Sequence, residues 1–193
     1  MALKLHELTN DEDLISVLEV GHEAYGNPYN GVWQITTGSS REECYTRLLS
    51  WHKNDPSSHW VFVTDEATGE VIGGTLWKIF ETNPYATPMP APTIYWLPEV
   101  ITYCFVHSSH RGRGAASLML KWGTDKADEL RLEAFVESTD IARKAYERHG
   151  FNVIHDLDID AHMDNPSEEF SAMREKLGCP MHGWFMKRDP VSS

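Results

Sequence analysis

Six residues at the centre of the chain, Arg111-Gly112-Arg113-Gly114-Ala115-Ala116, are of the types and spacing that hold a phosphate. An apolar, β-branched and aromatic run, Val100 to Val106, precedes them and ends at the polar turn His107-Ser108-Ser109-His110. A helical pattern follows. The order is therefore strand, glycine-rich basic turn, helix. Such a turn aims consecutive backbone N–H groups and the positive end of a helix dipole at one point, and both favour an anion. Glycine lets the backbone come close without a Cβ in the way. The spacing has no Lys-Ser/Thr ending, so it is not a magnesium-nucleotide P-loop. Nor is it the three-glycine dinucleotide fingerprint. A solvated basic turn that merely caps a helix is the plain alternative.

The elements that must position this turn are legible on both sides. Downstream, Ala116, Met119, Leu120, Gly123, Ala127 and Leu130 recur at helical spacing and predict one buried face. A strand is predicted over Leu132 to Glu137. Ser138, Thr139 or Asp140 then caps a short helix from Ile141 to His149, with Ala142, Ala145, Tyr146 and His149 on one face. Gly150 suits the residue just past its end. Tyr146 reads either as a core tyrosine or as a proton donor, since a phenol with a pKa of about 10 stays protonated at neutral pH.

Together these segments resemble the GNAT superfamily of acyl-CoA-dependent N-acyltransferases. The family's pyrophosphate loop is Gln/Arg-x-x-Gly-x-Gly/Ala after a strand, and Arg111, Gly114 and Ala116 fill its three specified positions. The run Ala142 to Phe151 resembles a second signature, a tyrosine a few residues before Gly-Phe, matched by Tyr146 and Gly150-Phe151. The resemblance implies a mixed α/β GNAT fold. Its central sheet is mixed and mostly antiparallel, flanked by helices, with one splayed pair of parallel strands that admits the thioester. It also implies acetyl-CoA as acyl donor and a primary amine of a small molecule as acceptor, attacking directly in a ternary complex.

The resemblance further implies a role for each of the following residues. The loop from Arg111 through Gly112, Arg113, Gly114 and Ala115 to Ala116 holds the cofactor, and Arg111 or Arg113 adds a charged contact. A backbone N–H at Phe105 or Val106 polarises the thioester carbonyl. Ser138 and Tyr146 also face the cofactor, and Tyr146 protonates the departing sulfur. Glu99, at the head of the loop strand, is the carboxylate in the place of the base. It stands one residue out of phase with the usual position, Val100 or Thr102, and such a shift turns a side chain to the other face. Glu137, His107 or a water chain are the alternatives. A protein Nα- or lysine acetyltransferase and a non-catalytic acyl-CoA-binding module remain competing readings.

Composition sets the outer bounds. With 193 residues, 41% hydrophobic and 24% charged, the chain suits one globular domain over 1–193, with a frayed tail at 190–193. No apolar run approaches the roughly 20 residues of a membrane span, and the first residues lack the apolar core of a secretory signal. Three widely spaced cysteines fit free thiols in the cytoplasm. Ten histidines include no metal-binding pair, so no metal is expected. A net charge of −12 argues against nucleic acid and anionic membranes as partners. That acidity serves solubility, or steers a cationic amine; Arg111, Arg113 and Lys121 form a basic island within it.

The rest of the chain supplies the frame. The pattern predicts a strand over Leu3 to Leu8, a helix from Asp11 to Tyr25 capped by Thr9 or Asn10, and a helix from Arg41 to Lys53 capped by Ser39 or Ser40. A hairpin follows: Trp60 to Thr64, the turn Glu66 to Gly69, and Val71 to Phe80. Glu81 to Pro98 holds five prolines and reads as a loop beside the acceptor. After Phe151 come a strand to Asp160, a partly helical acidic stretch from Ala161 to Gly178, and a last strand, Gly183 to Lys187. An open sheet has free edges, which are compatible with a monomer or with a homodimer formed through an edge or the C-terminal segment.

Overall fold

The computed structural model describes residues 2–26, 30, 33, 37–38, 40–80, 103–160 and 165–191. It is a mixed α/β structure with antiparallel sheets, and it divides into two compact units, Met1–Met119 and Leu120–Ser193.

The first unit contains β1 (Leu3–Glu7), α1 (Asp11–Gly26), α2 (Arg41–Asn54), β2 (Ser58–Asp65), β3 (Val71–Lys78) and β4 (Cys104–Val106). A 3-10 turn (Ser108–His110) and the first turn of α3 (Ala115–Leu130) complete it. Its sheet runs β1-β2-β3-β4, antiparallel throughout. Asn10, rather than Thr9, caps α1. Its Oδ1 accepts from the Asp13 N–H at 2.8 Å, while its Nδ2 donates to Asp13 Oδ2 at 2.8 Å. Ser40, rather than Ser39, caps α2, its Oγ accepting from the Glu43 N–H at 3.1 Å.

Leu14, Val17 and Leu18 carry the buried stripe of α1 onto the sheet. Two glycines allow the close approach. A Cβ on Gly74 would overlap Val17 and lie 3.1 Å from the Phe105 ring; one on Gly21 would lie 3.1 Å from the same ring. Phe105 of β4 is thereby clamped between helix and sheet, only 4% exposed. This packing fixes the end of β4, from which the glycine-rich turn departs. Val100 to Thr102, Glu99 and the proline-rich stretch lie outside the described residues.

The second unit holds the remainder of α3, then β5 (Ala134–Ser138), α4 (Asp140–Arg148), β6 (Asn152–Ile159), α5 (Glu168–Lys176) and β7 (Met181–Arg188). Its sheet runs β5-β7-β6, antiparallel, with α4 packed against β5 and β7. The three described helices of this unit end alike, in a Schellman turn with a left-handed residue past the last turn. At α4, the Phe151 N–H bonds Tyr146 O at 3.2 Å and the Gly150 N–H bonds Glu147 O at 3.1 Å, with Gly150 at φ +87°. At α5, Cys179 bonds Arg174 and Gly178 bonds Glu175. At α3, Leu132 bonds Ala127 at 2.8 Å and Arg131 bonds Asp128 at 3.2 Å, with Arg131 at φ +56°.

The α3 turn corrects two expectations. Leu132 is tied into the helix end, so β5 starts at Ala134 instead of Leu132. Leu130, at the helix terminus, is 50% exposed, and Thr124 is buried beside Gly123 and Ala127 in its stead.

The same corner carries a charge clamp. Arg188, 8% exposed, donates to both oxygens of Asp128 at 2.8 and 2.7 Å, and the Val191 N–H adds a bond of 2.7 Å. The Arg188 guanidinium, then the Val191 amide, hold the Asp128 carboxyl at about 2, below its ordinary 3.8. A depressed carboxylate contributes stability above its unfolded pKa and loses it as pH falls through the folded one. Asp128→Asn is therefore expected to lower the melting temperature at pH 7 and to narrow its deficit against the parent as pH falls from about 4 to about 2. Thermal melts at stepped pH check this; a deficit that does not change with pH contradicts it.

Candidate functional site

The glycine-rich turn has the backbone that its sequence calls for. Gly112 and Gly114 sit at φ +77° and +96°, the left-handed region where L side chains are disfavoured. Among the described residues, a Cβ at either would meet nothing within 4 Å, so the space beside both is open there. Helix α3 begins at Ala115, with no acidic residue in its first turn. Among the described residues, no acceptor takes the N–H groups of Gly112, Arg113, Gly114, Ala115 or Ala116. Five consecutive donors and a helix N-terminus thus share one open turn, which is the arrangement that binds phosphate oxygens.

The arginine side chains of the turn have partners within the first unit. Arg113 donates to Asp65 Oδ2 at 2.7 Å, and its other nitrogen lies 2.6 Å from His110 Nδ1. Arg111 reaches Ala24 O, near the end of α1, at 3.1 Å and Val106 O at 3.4 Å. The basic island expected here is in part an internal brace: Asp65 balances Arg113, and its own carboxyl is held low by that arginine and by the Ala67 amide. Lys121 pairs with Asp125 of its own helix at 2.6 Å.

Strand register separates the two candidates for the carbonyl-polarising N–H. Leu76 N–H donates to Tyr103 O and His107 N–H to Ile72 O, each at 2.8 Å. Alternation along an antiparallel pair then makes Gly74 and Phe105 a bonded pair. The Phe105 N–H points to β3. The Val106 N–H, one residue on, points away from β3 at the edge of the sheet.

In the second unit, Tyr146 is 7% exposed in the last turn of α4, with its ring 5.7 Å from that of Phe151 at 72°. The Schellman turn explains the Tyr-x-x-x-Gly-Phe spacing: Gly150 supplies the left-handed step that folds buried Phe151 back onto Tyr146. Ser138 is buried at the end of β5, its hydroxyl donating to Thr139 O at 2.9 Å. Thr139 takes the cap position of α4 without a side-chain bond, and the adjacent Asp140 instead accepts from Trp184 Nε1 at 2.7 Å.

Of the base candidates, Glu137 lies on the outward side of β5 opposite Phe185, and desolvation by its surroundings raises its carboxyl. His107 holds the 3-10 turn, its Nδ1 lying 2.7 Å from Ser109 Oγ. Two contributors escaped the sequence reading, Asp65 and His110. Asp65 reads there only as the residue before a hairpin turn, and nothing local signals its arginine partner.

Among the described residues, no group of three or more acidic, histidine or cysteine side chains is placed to hold a metal, and no helix is long and apolar enough to cross a membrane.

Residues 25–151 match the model of the Acetyltransferase (GNAT) family. A search of curated proteins gives no match. Several solved structures share the fold. A histone acetyltransferase HPA2-related acetyltransferase from Corynebacterium glutamicum is 18% identical, with a TM-score of 0.61, covering 100% of this chain and 99% of that one. A chimera of spermidine N-acetyltransferase SpeG from Vibrio cholerae with hSSAT is 18% identical, with a TM-score of 0.60 and coverage of 98% and 96%. The PaiA N-acetyltransferase from Thermoplasma acidophilum, solved with coenzyme A, is 13% identical, with a TM-score of 0.57 and coverage of 98% and 99%. With the family model spanning well over half of the residues, the chain belongs to the GNAT acetyltransferase family.

Proposed function

We propose that the chain is an N-acetyltransferase that moves an acetyl group from acetyl-CoA to a primary amine of a small molecule, by direct attack in a ternary complex. The observation that carries this reading is the open turn with five unpaired amides, Gly112 to Ala116, at the start of α3. The turn fits a pyrophosphate because its donors are backbone groups and the space beside its glycines is clear. Bound there, acetyl-CoA supplies an activated acyl carbon and a thiol leaving group.

The chain's own residues supply the rest. The Val106 N–H donates to the carbonyl oxygen as negative charge develops on it. Tyr146 gives its phenolic proton to the sulfur as the carbon–sulfur bond breaks and the carbon–nitrogen bond forms. The proton lost by the attacking amine passes to Glu99, Glu137 or His107, or to water. The reading places a single domain in the cytoplasm, as a monomer or homodimer. Cys44, Cys104 and Cys179 form no disulfide with one another, which fits that compartment.

The test is thiol release from acetyl-CoA by the purified protein, across a panel of polyamines, amino acids and peptides with free α- or ε-amines. Release that depends on a small amine is the expected result. Release with peptides only makes the enzyme a protein acetyltransferase. CoA binding without release for any amine makes it a binding module.

A further inference from the structure

We propose that Asp65 is a positioning residue for CoA binding, fixing the phosphate-binding turn through the side chain of Arg113. This rests on the reading of the turn as the pyrophosphate site. Arg113 is the middle residue between Gly112 and Gly114, the two left-handed glycines, and its own N–H is one of the five donors. Glycine has the widest conformational freedom of any residue, so a Gly-x-Gly turn does not hold five amides convergent unaided. The tether comes from the middle side chain. Arg113 reaches 48 residues back along the chain to the last residue of β2.

Asp65 is a rigid anchor. It is 4% exposed, and its backbone pairs with Leu3 of β1. Its N–H bonds Glu70 O at 2.9 Å, and its carbonyl accepts from Gly69 at 2.8 Å. The carboxylate divides its two oxygens: Oδ1 accepts from the Ala67 N–H at 3.0 Å and closes the β2–β3 turn, while Oδ2 takes Arg113 at 2.7 Å. His110 holds the same guanidinium from the 3-10 turn. Hairpin, 3-10 turn and glycine-rich turn are thus locked together through one arginine. Arg111, bonded to Ala24 O, ties the other side of the turn to α1. Arg113 therefore acts on CoA by ordering the donors beside it. The benefit is preorganisation, which removes an ordering cost from the binding step.

Calorimetric titration of CoA into the parent, Asp65→Asn, Arg113→Gln and the double variant tests this. Restoring one residue's conformational freedom to the binding step corresponds to a weakening on the order of tenfold. Each single variant is expected to lose about that much, and the double variant no more than either single, because both break the same link. For Asp65→Asn the loss falls on the KM for acetyl-CoA, with kcat at saturation kept within a factor of about two.

Unchanged or tighter binding in Asp65→Asn overturns the proposal, since it means that Arg113, once released, serves the phosphate directly. Additive losses in the double variant overturn it as well. Should Asp65→Asn fail to fold, Arg113→Gln leaves the hairpin turn intact and carries the test: parent-like affinity there refutes the link. A parent protein that binds no CoA refutes instead the reading of the turn itself. A parent that binds CoA, with binding abolished by a Gly114→Glu substitution in the turn and Asp65→Asn parent-like, refutes only the role of Asp65.

Discussion

Gly114→Glu is expected to abolish CoA binding while the protein still folds. Gly114 lies at φ +96°, with no atom of the described residues within 4 Å of the position a Cβ would take. A Cβ there clears every atom of the described residues, and the longer side chain projects into the space that the phosphates are proposed to approach. A carboxylate at that point repels the pyrophosphate and offers the five amides an internal acceptor. Gly114→Ala separates the two effects: it carries the same backbone strain, commonly about 1–2 kcal/mol for an L residue in this region, without the charge. The expected order of affinity is parent, alanine variant, then no measurable binding for glutamate. Equal losses in both variants assign the effect to strain, and parent-like affinity in the glutamate variant removes the phosphate-binding role of the turn.

The second large effect is expected at Tyr146. Tyr146→Phe keeps the ring that packs on Phe151 and deletes only the hydroxyl. If that hydroxyl protonates the departing thiolate, its bond strengthens only as sulfur gains charge, so the loss appears in kcat and not in CoA affinity. A general acid contributes on the order of 10²–10⁴ in rate, and the variant is expected to fall within that span. Turnover within a factor of about two at saturating amine, together with a lowered melting temperature, makes Tyr146 a packing residue.

How much of this was readable beforehand follows from the range of the forces involved. The glycine-rich turn is a local object: two glycines, a preceding strand and a following helix dictate its conformation, and the structure has it where the residues indicate. Gly150 is local in the same sense. Arg131 is not, because its left-handed backbone is imposed by the closing bonds of the helix end and not by its residue type. For that reason β5 starts later than the apolar pattern suggests. The choice between Phe105 and Val106 depends on ladder parity, which exists only once β4 has a partner and a register. The charge pattern around the turn implied an open basic island. Its arginines instead find Asp65 and Ala24, far away in sequence, where periodicity gives no signal. Glu99 stays an inference from its place in the sequence, outside the described residues.

The central claim is that backbone amides hold the cofactor. Amide proton and nitrogen chemical shifts followed during CoA titration test it most directly. Gly112 and Gly114 fall in the glycine region of such a spectrum, beside the signals of Arg113, Ala115 and Ala116. The account predicts that these five amides move together, saturate with one binding constant, and shift in the direction of stronger hydrogen bonding. CoA that binds with its largest shifts elsewhere, leaving Gly112 to Ala116 in place, contradicts it.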